Sequence, residues 1–492
     1  MKRAAKHDVT FDTFRTGDYV TFDRRFASRD FTNFAGLSGD HNPLHGDATY
    51  AATTSLGAPI VPLFLTATPL SAIAGMMIPG HRSLILSSSL NAHAPVPFDT
   101  DVTYSARIRA RQEAKKALLL DIVAFVDDAV VLSSEMTVKV RTDGDPALAP
   151  ARDGLPPVLN VLDSRTALVT GATGQIGKAI ARALAGTGWN LLLHSRAKSP
   201  VAADLAKELR AGGASVSTTH GDLADKRVVA RLAKRIGAVE DLGAIVHTAA
   251  PPVEAPLEGH MATTFEAYAA LSRAAAKPML KRQEGTSLII GTSALQYGLR
   301  DWDSYLAAKA AAANFAQQFN RTYGAFGVGA SVLAPGYVDT PYTDGLRPDD
   351  AAALLPEEVA EAAAEMVSDG TSEAAYVWLE PGLRRVGDFG FRGLTAVATT
   401  VAPAPIRAQG EITAATPVDD LEDVLRSVFK LASSSDVRDA AIGRTPGWDS
   451  FKQIELMLEI EQRFGIQLGT EDLQRATDYA ALSALLAEKG AS

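Results

Sequence analysis

Thr166-Ala-Leu-Val-Thr-Gly-Ala-Thr-Gly-Gln-Ile-Gly177 is an apolar strand that runs into a glycine turn, and the helical Lys178-Ala-Ile-Ala-Arg-Ala-Leu-Ala185 continues directly from it. Gly171 and Gly174 let the backbone turn tightly. Gly177 lets the helix lie close to the strand with its first amides facing outward, where a pyrophosphate is held. Three glycines alone also fit a tight turn with no ligand. The strand before, the helix after and the reactive residues downstream favour a dinucleotide site.

Those residues are Ser293, ending the apolar strand Ser287-Leu-Ile-Ile-Gly-Thr-Ser293, with Tyr305 and Lys309 in the helical pattern Asp303-Ser-Tyr-Leu-Ala-Ala-Lys-Ala-Ala-Ala. A tyrosine and a lysine four residues apart share one helix face. Hydride transfer to a carbonyl needs a proton donor at the oxygen, and a phenol serves when a cation lies beside it. A lone Tyr-x-x-x-Lys is commonly a surface pair; here the strand-end serine and the glycine turn accompany it. Together these motifs resemble the short-chain dehydrogenase/reductase family over residues 164–385. The resemblance implies an α/β Rossmann domain with a doubly wound parallel sheet, in which Ser293 orients the substrate carbonyl and Tyr305 gives the proton. By the same likeness Lys309 lowers the Tyr305 pKa and holds the nicotinamide ribose, and Asp222 and Thr340 lie at the cofactor. A helix N-cap is the plainer reading of Asp222. His247-Thr-Ala-Ala250 is similar to the extended subgroup and Pro335-Gly-Tyr-Val-Asp-Thr340 to the short one. No asparagine occurs between Asn190 and Asn314, so the asparagine that often completes the family's proton relay is missing.

After the second strand, Asn190-Leu-Leu-Leu-His194, the chain continues Ser195-Arg196 with no acid where a ribose 2′-hydroxyl would be read. An arginine there favours a 2′-phosphate, hence NADPH, unless Arg196 is only a solvated loop charge.

At 492 residues, two to four domains are expected. The chain has no cysteine, which excludes disulfides and thiolate metal sites and fits a reducing compartment; no metal is expected. Met1-Lys-Arg-Ala-Ala-Lys-His-Asp lacks an apolar signal run, so a cytoplasmic location is the expectation. Of the net charge of −9, residues 411–492 hold 15 Asp and Glu against 8 Lys and Arg, a net of −7. That marks an acidic C-terminal module and argues against nucleic acid as a partner. Residues 48–80 carry no charge, but Pro59, Pro62, Pro69 and Pro79 interrupt them, which predicts a buried helix and its approach loop rather than a membrane span.

The first domain, residues 9–141, centres on Phe34-Ala-Gly-Leu-Ser-Gly-Asp-His-Asn-Pro-Leu-His45, with strands expected at residues 83–90, 102–108, 117–126 and 130–140. Adding or removing water across the α,β bond of a thioester needs a base and an acid, and Asp40 with His45 fits that need. Turn capping and surface exposure are the plainer readings of the pair. The Ser-Gly-Asp-x-Asn-Pro-x-His spacing resembles the MaoC-like, R-specific enoyl thioester hydratases, which implies an α+β hot-dog fold with an acyl tunnel and Asn42 ordering the turn. Where that family carries His-Gly at the start of the central helix, this chain has Ile60-Val-Pro62-Leu63, and Pro62 has no N–H to polarise a thioester carbonyl. Residues 142–163 read as a stiff proline-rich linker and residues 386–417 as a mobile one.

The last module, residues 418–490, centres on Thr445-Pro-Gly-Trp-Asp-Ser-Phe-Lys-Gln-Ile-Glu-Leu-Met-Leu-Glu-Ile-Glu-Gln-Arg-Phe-Gly465. Ser450 stands at a helix start, with Phe451, Ile454 and Leu458 as a buried stripe. A plain N-cap is one reading of this serine. Trp-Asp-Ser-Phe and the acidic helix resemble acyl carrier proteins, which implies a small four-helix bundle with 4′-phosphopantetheine on Ser450. The Glu455 and Glu459 face would then dock on a basic surface for which Arg107, Arg109, Arg111, Lys115 and Lys116 are candidates.

The three likenesses point to a multidomain acyl-thioester enzyme that reduces 3-oxoacyl to 3-hydroxyacyl chains and dehydrates them to trans-2-enoyl chains, as in fatty-acid or polyketide synthesis. A phosphopantetheinyl transferase, a ketosynthase or other pathway enzymes and a homodimer or higher homo-oligomer are the implied partners. The alternatives are the reverse pair of activities in acyl-CoA breakdown and a non-catalytic carrier scaffold.

Overall fold

The computed structural model describes residues 2–4, 10–141, 158–160, 164–296, 298–343, 346–347, 351–368 and 376–387, and, further on, 421–422, 424–426, 429, 437–440, 456, 460, 463–464 and 478–489. The chain divides into two compact units, Met1–Val401 and Ala402–Ser492.

In the first unit an antiparallel sheet runs in the order Lys2–Ala4, Val158–Asn160, Tyr19–Arg25, Asp101–Gln112, Ala117–Val126, Ala129–Val140, Ser83–Ser88. It wraps the uncharged segment, which forms the short helices Leu63–Ala67 and Pro69–Ala72 and the π-helical turn Ile73–Met77. Leu65, Leu70, Ile73 and Ala74 from that segment pack with Tyr104, Ile108, Leu118, Leu120, Ile122 and Leu132 of the sheet. The expected buried helix is therefore present, broken where Pro69 has no N–H to give. The segment read as a linker is corrected at Val158–Asn160, which is a strand lying between Lys2–Ala4 and Tyr19–Arg25.

The second half of this unit is a parallel sheet ordered Val216–His220, Asn190–Ser195, Thr166–Thr170, Leu242–His247, Gly285–Ile290, Val328–Pro335, Tyr376–Glu380, with Leu383–Gly387 antiparallel at one edge. Side chains alternate along each strand, so Leu168 enters one core and Ala167 and Val169 the other, each covered by helices. The order reverses beside Thr166–Thr170, and at such a switch point the carboxyl ends of two strands diverge and leave a crevice.

The two halves are not separate domains joined by a tether. Period-two alternation makes strand Ala117–Val126 serve both: Leu118, Leu120, Ile122 and Ala124 face the first core, while Val123 and Phe125 are buried in the core of the parallel-sheet half. Gln283, in a left-handed conformation (φ 50°), donates through Nε2 to the backbone oxygens of Ser105 and Asp121, 3.0 Å each. Arg107 donates to the Gln283 oxygen (2.7 Å) and pairs with Glu284 (2.6 Å). Arg107 is thus committed inside the unit, Arg109 pairs with Glu135 and Asp121, and Arg111 with Asp12 and Glu113. The basic surface expected to receive an acidic partner is therefore largely neutralised by its own carboxylates.

In the second unit Leu421, Val424, Leu425, Phe429, Val437, Leu456, Ile460, Leu482, Leu485 and Leu486 form one core, and Tyr479–Glu488 is a helix. Ser450, Phe451, Ile454, Glu455, Leu458 and Glu459 lie outside the described residues. Among the described residues no helix is long and apolar enough to cross a membrane, and no group of His, Asp and Glu is arranged to hold a metal ion.

Candidate functional site

The glycine turn follows strand Thr166–Thr170 at the crevice. Gly171 has φ 66°, and a Cβ there would lie 2.7 Å from Thr248 Oγ1; a Cβ on Gly177 would collide with the Gly171 oxygen. Both positions exclude any larger residue. Gly174 is the N-cap of helix Gln175–Gly186 and has an ordinary φ of −71°. The turn and the helix start line a cavity of about 750 Å³.

The same cavity is lined by Arg196, Asp222, Thr340, Ser293, Tyr305 and Lys309, so the structure brings together all the residues singled out for this half. It also brings in residues the sequence reading passed over: Thr292, His194, Trp302 and Tyr342. Arg196 is exposed at the end of strand Asn190–Ser195. Asp222 accepts the Ala224 N–H (2.9 Å), so its carboxylate also orders the turn after Val216–His220.

Tyr305 and Lys309 lie on helix Asp303–Tyr323 and are 7% and 5% exposed. Lys309 Nζ donates to the Ile290 oxygen (2.5 Å) and stands 5.5 Å from the Tyr305 ring centroid. Burial pushes the Tyr305 phenol up to about 12, against which a hydrogen bond from the Thr292 side chain acts in the lowering direction. Burial also pushes the Lys309 ammonium down to about 8. The expected depression of Tyr305 is not what burial alone produces: loss of water is the largest cause acting on each group, raising the phenol and lowering the ammonium. The hydroxyl bonded to Tyr305 is that of Thr292, one residue before Ser293. Trp302 stands edge-on to Tyr305 at 5.4 Å, and Tyr342 packs at 6.5 Å while its hydroxyl donates to the Pro251 oxygen (2.8 Å). No spacing in the sequence marks these aromatics.

His247, fully buried, is held in one tautomer. Thr170 Oγ1 accepts from the N–H groups of Thr248 and Ala249, so its own hydrogen goes to His247 Nδ1 (3.1 Å), and His247 Nε2–H donates to the Thr263 oxygen (3.0 Å). Burial drives its pKa down to about 3.

In the antiparallel half, Asp40 and His45 flank a turn built by relayed side-chain caps. Asp40 Oδ1 accepts the Asn42 N–H (3.1 Å) and Asn42 Oδ1 the Leu44 N–H (3.0 Å), as expected for Asn42. His45 Nδ1 lies 2.7 Å from the Ile60 oxygen. A carbonyl only accepts, so Nδ1 carries the hydrogen and Nε2 presents its lone pair. That bond sets His45 beside Ile60–Val61, immediately before Pro62, which caps the helix Leu63–Ala67.

A model of the MaoC like domain matches residues 11–116 and a model of the short chain dehydrogenase family matches residues 165–351. The chain is 33% identical over 133 residues to the (R)-specific enoyl-CoA hydratase of Aeromonas caviae, covering 27% of this chain and 99% of that protein. It is 33% identical over 230 residues to the cis-4-hydroxycyclohexanecarboxylate dehydrogenase of Sinomonas cyclohexanicum, covering 42% of this chain and 91% of that protein. It is 27% identical over 235 residues to the 3-oxoacyl-[acyl-carrier-protein] reductase of Escherichia coli K12, covering 44% and 93%. The chain therefore belongs to the short chain dehydrogenase family through its parallel-sheet half, fused behind a domain of the MaoC-like hydratase family.

Proposed function

We propose that the chain processes acyl thioesters by two linked steps: NADPH-dependent reduction of a 3-oxoacyl to a 3-hydroxyacyl group, and loss of water to the trans-2-enoyl group. The observation that carries the reading is the convergence of the glycine turn, Thr292, Tyr305 and Lys309 on one cavity. Gly171, Gly174 and Gly177 leave room for the pyrophosphate at the helix start, Arg196 meets the 2′-phosphate, and Asp222 and Thr340 border the cofactor. NADPH, when bound, supplies the hydride to the carbonyl carbon. Thr292 and Ser293 orient the carbonyl, Tyr305 gives its proton to the oxygen, and the Lys309 ammonium stabilises the phenolate left behind. In the hydratase half, His45 Nε2 and Asp40 exchange the protons of the water that is lost or added. Ser450 carries the acyl group on 4′-phosphopantetheine, loaded by a phosphopantetheinyl transferase, in a carrier domain within residues 418–490. The 9–141 and 164–385 boundaries mark the two catalytic regions.

The test is turnover by the whole purified chain: NADPH oxidation with acetoacetyl thioester, and loss of enoyl absorbance with crotonyl thioester. Oxidation of NADPH by acetoacetyl thioester supports the reduction, and its absence across several chain lengths overturns it. Preference for NADH would move the chain toward acyl breakdown. A second reading is favoured by the aromatic wall of Trp302, Tyr305 and Tyr342 and by the likeness to a cyclohexanecarboxylate dehydrogenase: the carbonyl lies in a ring. Higher kcat/KM on 4-oxocyclohexanecarboxylate than on acetoacetyl thioester would establish it.

A further inference from the structure

On its substrate side Tyr305 is flanked by two aromatic rings. Trp302 is the N-cap of helix Asp303–Tyr323 and meets the Tyr305 ring edge-on at 5.4 Å, with 88° between the planes. Tyr342, from the loop after strand Val328–Pro335, approaches the same ring at 6.5 Å. Leu299, Val338 and Pro341 line the cavity with them. Most hydroxyls of this wall are committed to the protein. Thr340 Oγ1 and Thr343 Oγ1 both donate to the Val338 oxygen (3.4 and 2.6 Å), and the Tyr342 hydroxyl donates to the Pro251 oxygen (2.8 Å). A hydroxyl has one hydrogen, so these three have no donor left for a ligand. Trp302 differs. It is half-buried and lines the cavity, and its Nε1–H, a group that can only donate, makes no hydrogen bond among the described residues.

Charge is distributed unevenly over the same cavity. Lys178 stands on the helix that follows the glycine turn and Arg196 just beyond strand Asn190–Ser195, both at the cofactor end, while Lys309 lies beside Tyr305 with a proton on the Ile290 oxygen. Among the described residues no other lysine or arginine lines the cavity; Arg300, two residues before Trp302, is exposed and outside it. A carboxylate brought to the aromatic wall would give up its water with no cation in return. A neutral carbonyl oxygen gives up far less, and the indole N–H replaces what it loses.

We propose that Trp302 Nε1–H donates a hydrogen bond to a second, neutral carbonyl oxygen of the substrate. This contact selects 3-oxoacyl thioesters over ketones that lack such an oxygen, and the uncharged wall selects them over keto acids. The inference rests on the reductase reading of the site and names its substrate class. In a 3-oxoacyl thioester one methylene separates the two carbonyl groups. When the 3-oxo oxygen is held at Tyr305, the thioester oxygen therefore falls beside the ring that packs on Tyr305. Trp302 determines specificity and takes no part in the proton or hydride transfer. The same wall disfavours a ring that carries a free carboxylate.

The experiment uses the whole chain with NADPH. Trp302→Phe keeps a ring against Tyr305 and removes the N–H. It is expected to lower kcat/KM for acetoacetyl thioester on the order of 10-fold, the worth of one neutral hydrogen bond, with NADPH affinity unchanged. The 3-oxobutyl thioether of the same thiol lacks the second carbonyl, and its Ki as a competitor of acetoacetyl thioester is expected to be the same in wild type and variant. Methyl acetoacetate is expected to exceed acetoacetate in wild-type kcat/KM by on the order of 10-fold or more. An unchanged kcat/KM in Trp302→Phe, a parallel loss of affinity for the thioether, or a preference for acetoacetate overturns the proposal and leaves the reductase reading standing. A wild type that reduces none of these ketones overturns both.

Discussion

The Lys309 ammonium stands 5.5 Å from the Tyr305 ring centroid with one of its protons on the Ile290 oxygen, so phenol and cation lie side by side, largely buried, on the wall of the cavity. Burial holds Tyr305 near 12 and Lys309 near 8. Across neutral pH the phenol therefore keeps the proton that reduction needs, and the ammonium is lost as pH rises through about 8. The kcat for reduction is expected to be flat below that pH and to fall above it. Tyr305→Phe is expected to lower kcat on the order of 10²–10⁴-fold while NADPH still binds, checked by cofactor fluorescence. A Tyr305→Phe protein with wild-type turnover would assign the acid elsewhere.

The seam between the two halves should make them unfold together. Phe125 is a fully buried member of the parallel-sheet core although it belongs to the antiparallel sheet. Phe125→Ala is expected to cost about 3–5 kcal/mol and to lower the denaturant midpoint for loss of NADPH binding as well as for loss of hydratase activity. Gln283→Ala, which leaves the Ser105 and Asp121 oxygens short of a donor, is expected to cost about 1–3 kcal/mol in the same transition. Two separate midpoints in either variant would show that the halves stand alone.

Acid should weaken the parallel-sheet half. His247 is held near 3 and His194 near 4 by burial, well below the value of 6.5 for a solvated imidazole. Above pH 6.5 both are neutral, folded or unfolded, and contribute no pH dependence. As pH falls from 6.5 toward 4 the unfolded chain binds protons that the folded one refuses, so stability drops by up to about 1.4 kcal/mol per pH unit for each group. Thermal melts over that window are expected to show the fall, and His247→Asn to make it shallower.

Much of this architecture was legible because the two sheets obey different periods. The glycine turn, the strands at 83–90, 117–126 and 130–140, and the helix placing Tyr305 four residues from Lys309 all follow from local pattern. Three features did not. Val158–Asn160 is too short to stand out from a proline-rich stretch and is a strand only because Tyr19–Arg25 lies beside it. Val123 and Phe125 belong to a strand of the antiparallel sheet, and only long-range packing, which no local pattern shows, buries them in the other half. Thr292, beside Ser293 at the strand end, was not marked by any spacing, and its hydrogen bond to Tyr305 depends on a helix that follows in the chain.

In the hydratase half, the Ile60 carbonyl fixes the His45 tautomer. His45→Ala and Asp40→Asn are each expected to abolish hydration of crotonyl thioester. Acetoacetyl reduction should persist, because neither residue borders the reductase cavity. Hydration retained in both variants would remove the pair from the chemistry. Loss of reduction alongside it, with the melting temperature unchanged, would reveal coupling across the seam.

The carrier assignment is tested at Ser450. Incubation with a phosphopantetheinyl transferase and CoA is expected to add one 4′-phosphopantetheine to the intact chain and none to Ser450→Ala, read by mass spectrometry. The substitution removes at most a helix N-cap, a loss of about 1 kcal/mol, so an unloaded Ser450→Ala protein should still melt as the wild type does. A tethered 3-oxoacyl group is then present at an effective concentration set by the chain and not by the solution. Reduction of the loaded substrate should accordingly be independent of protein concentration, and should become concentration-dependent when residues 402–492 are supplied as a separate chain. A wild-type protein that gains no mass under conditions that load an established carrier would leave free thioesters as the substrates of both catalytic halves.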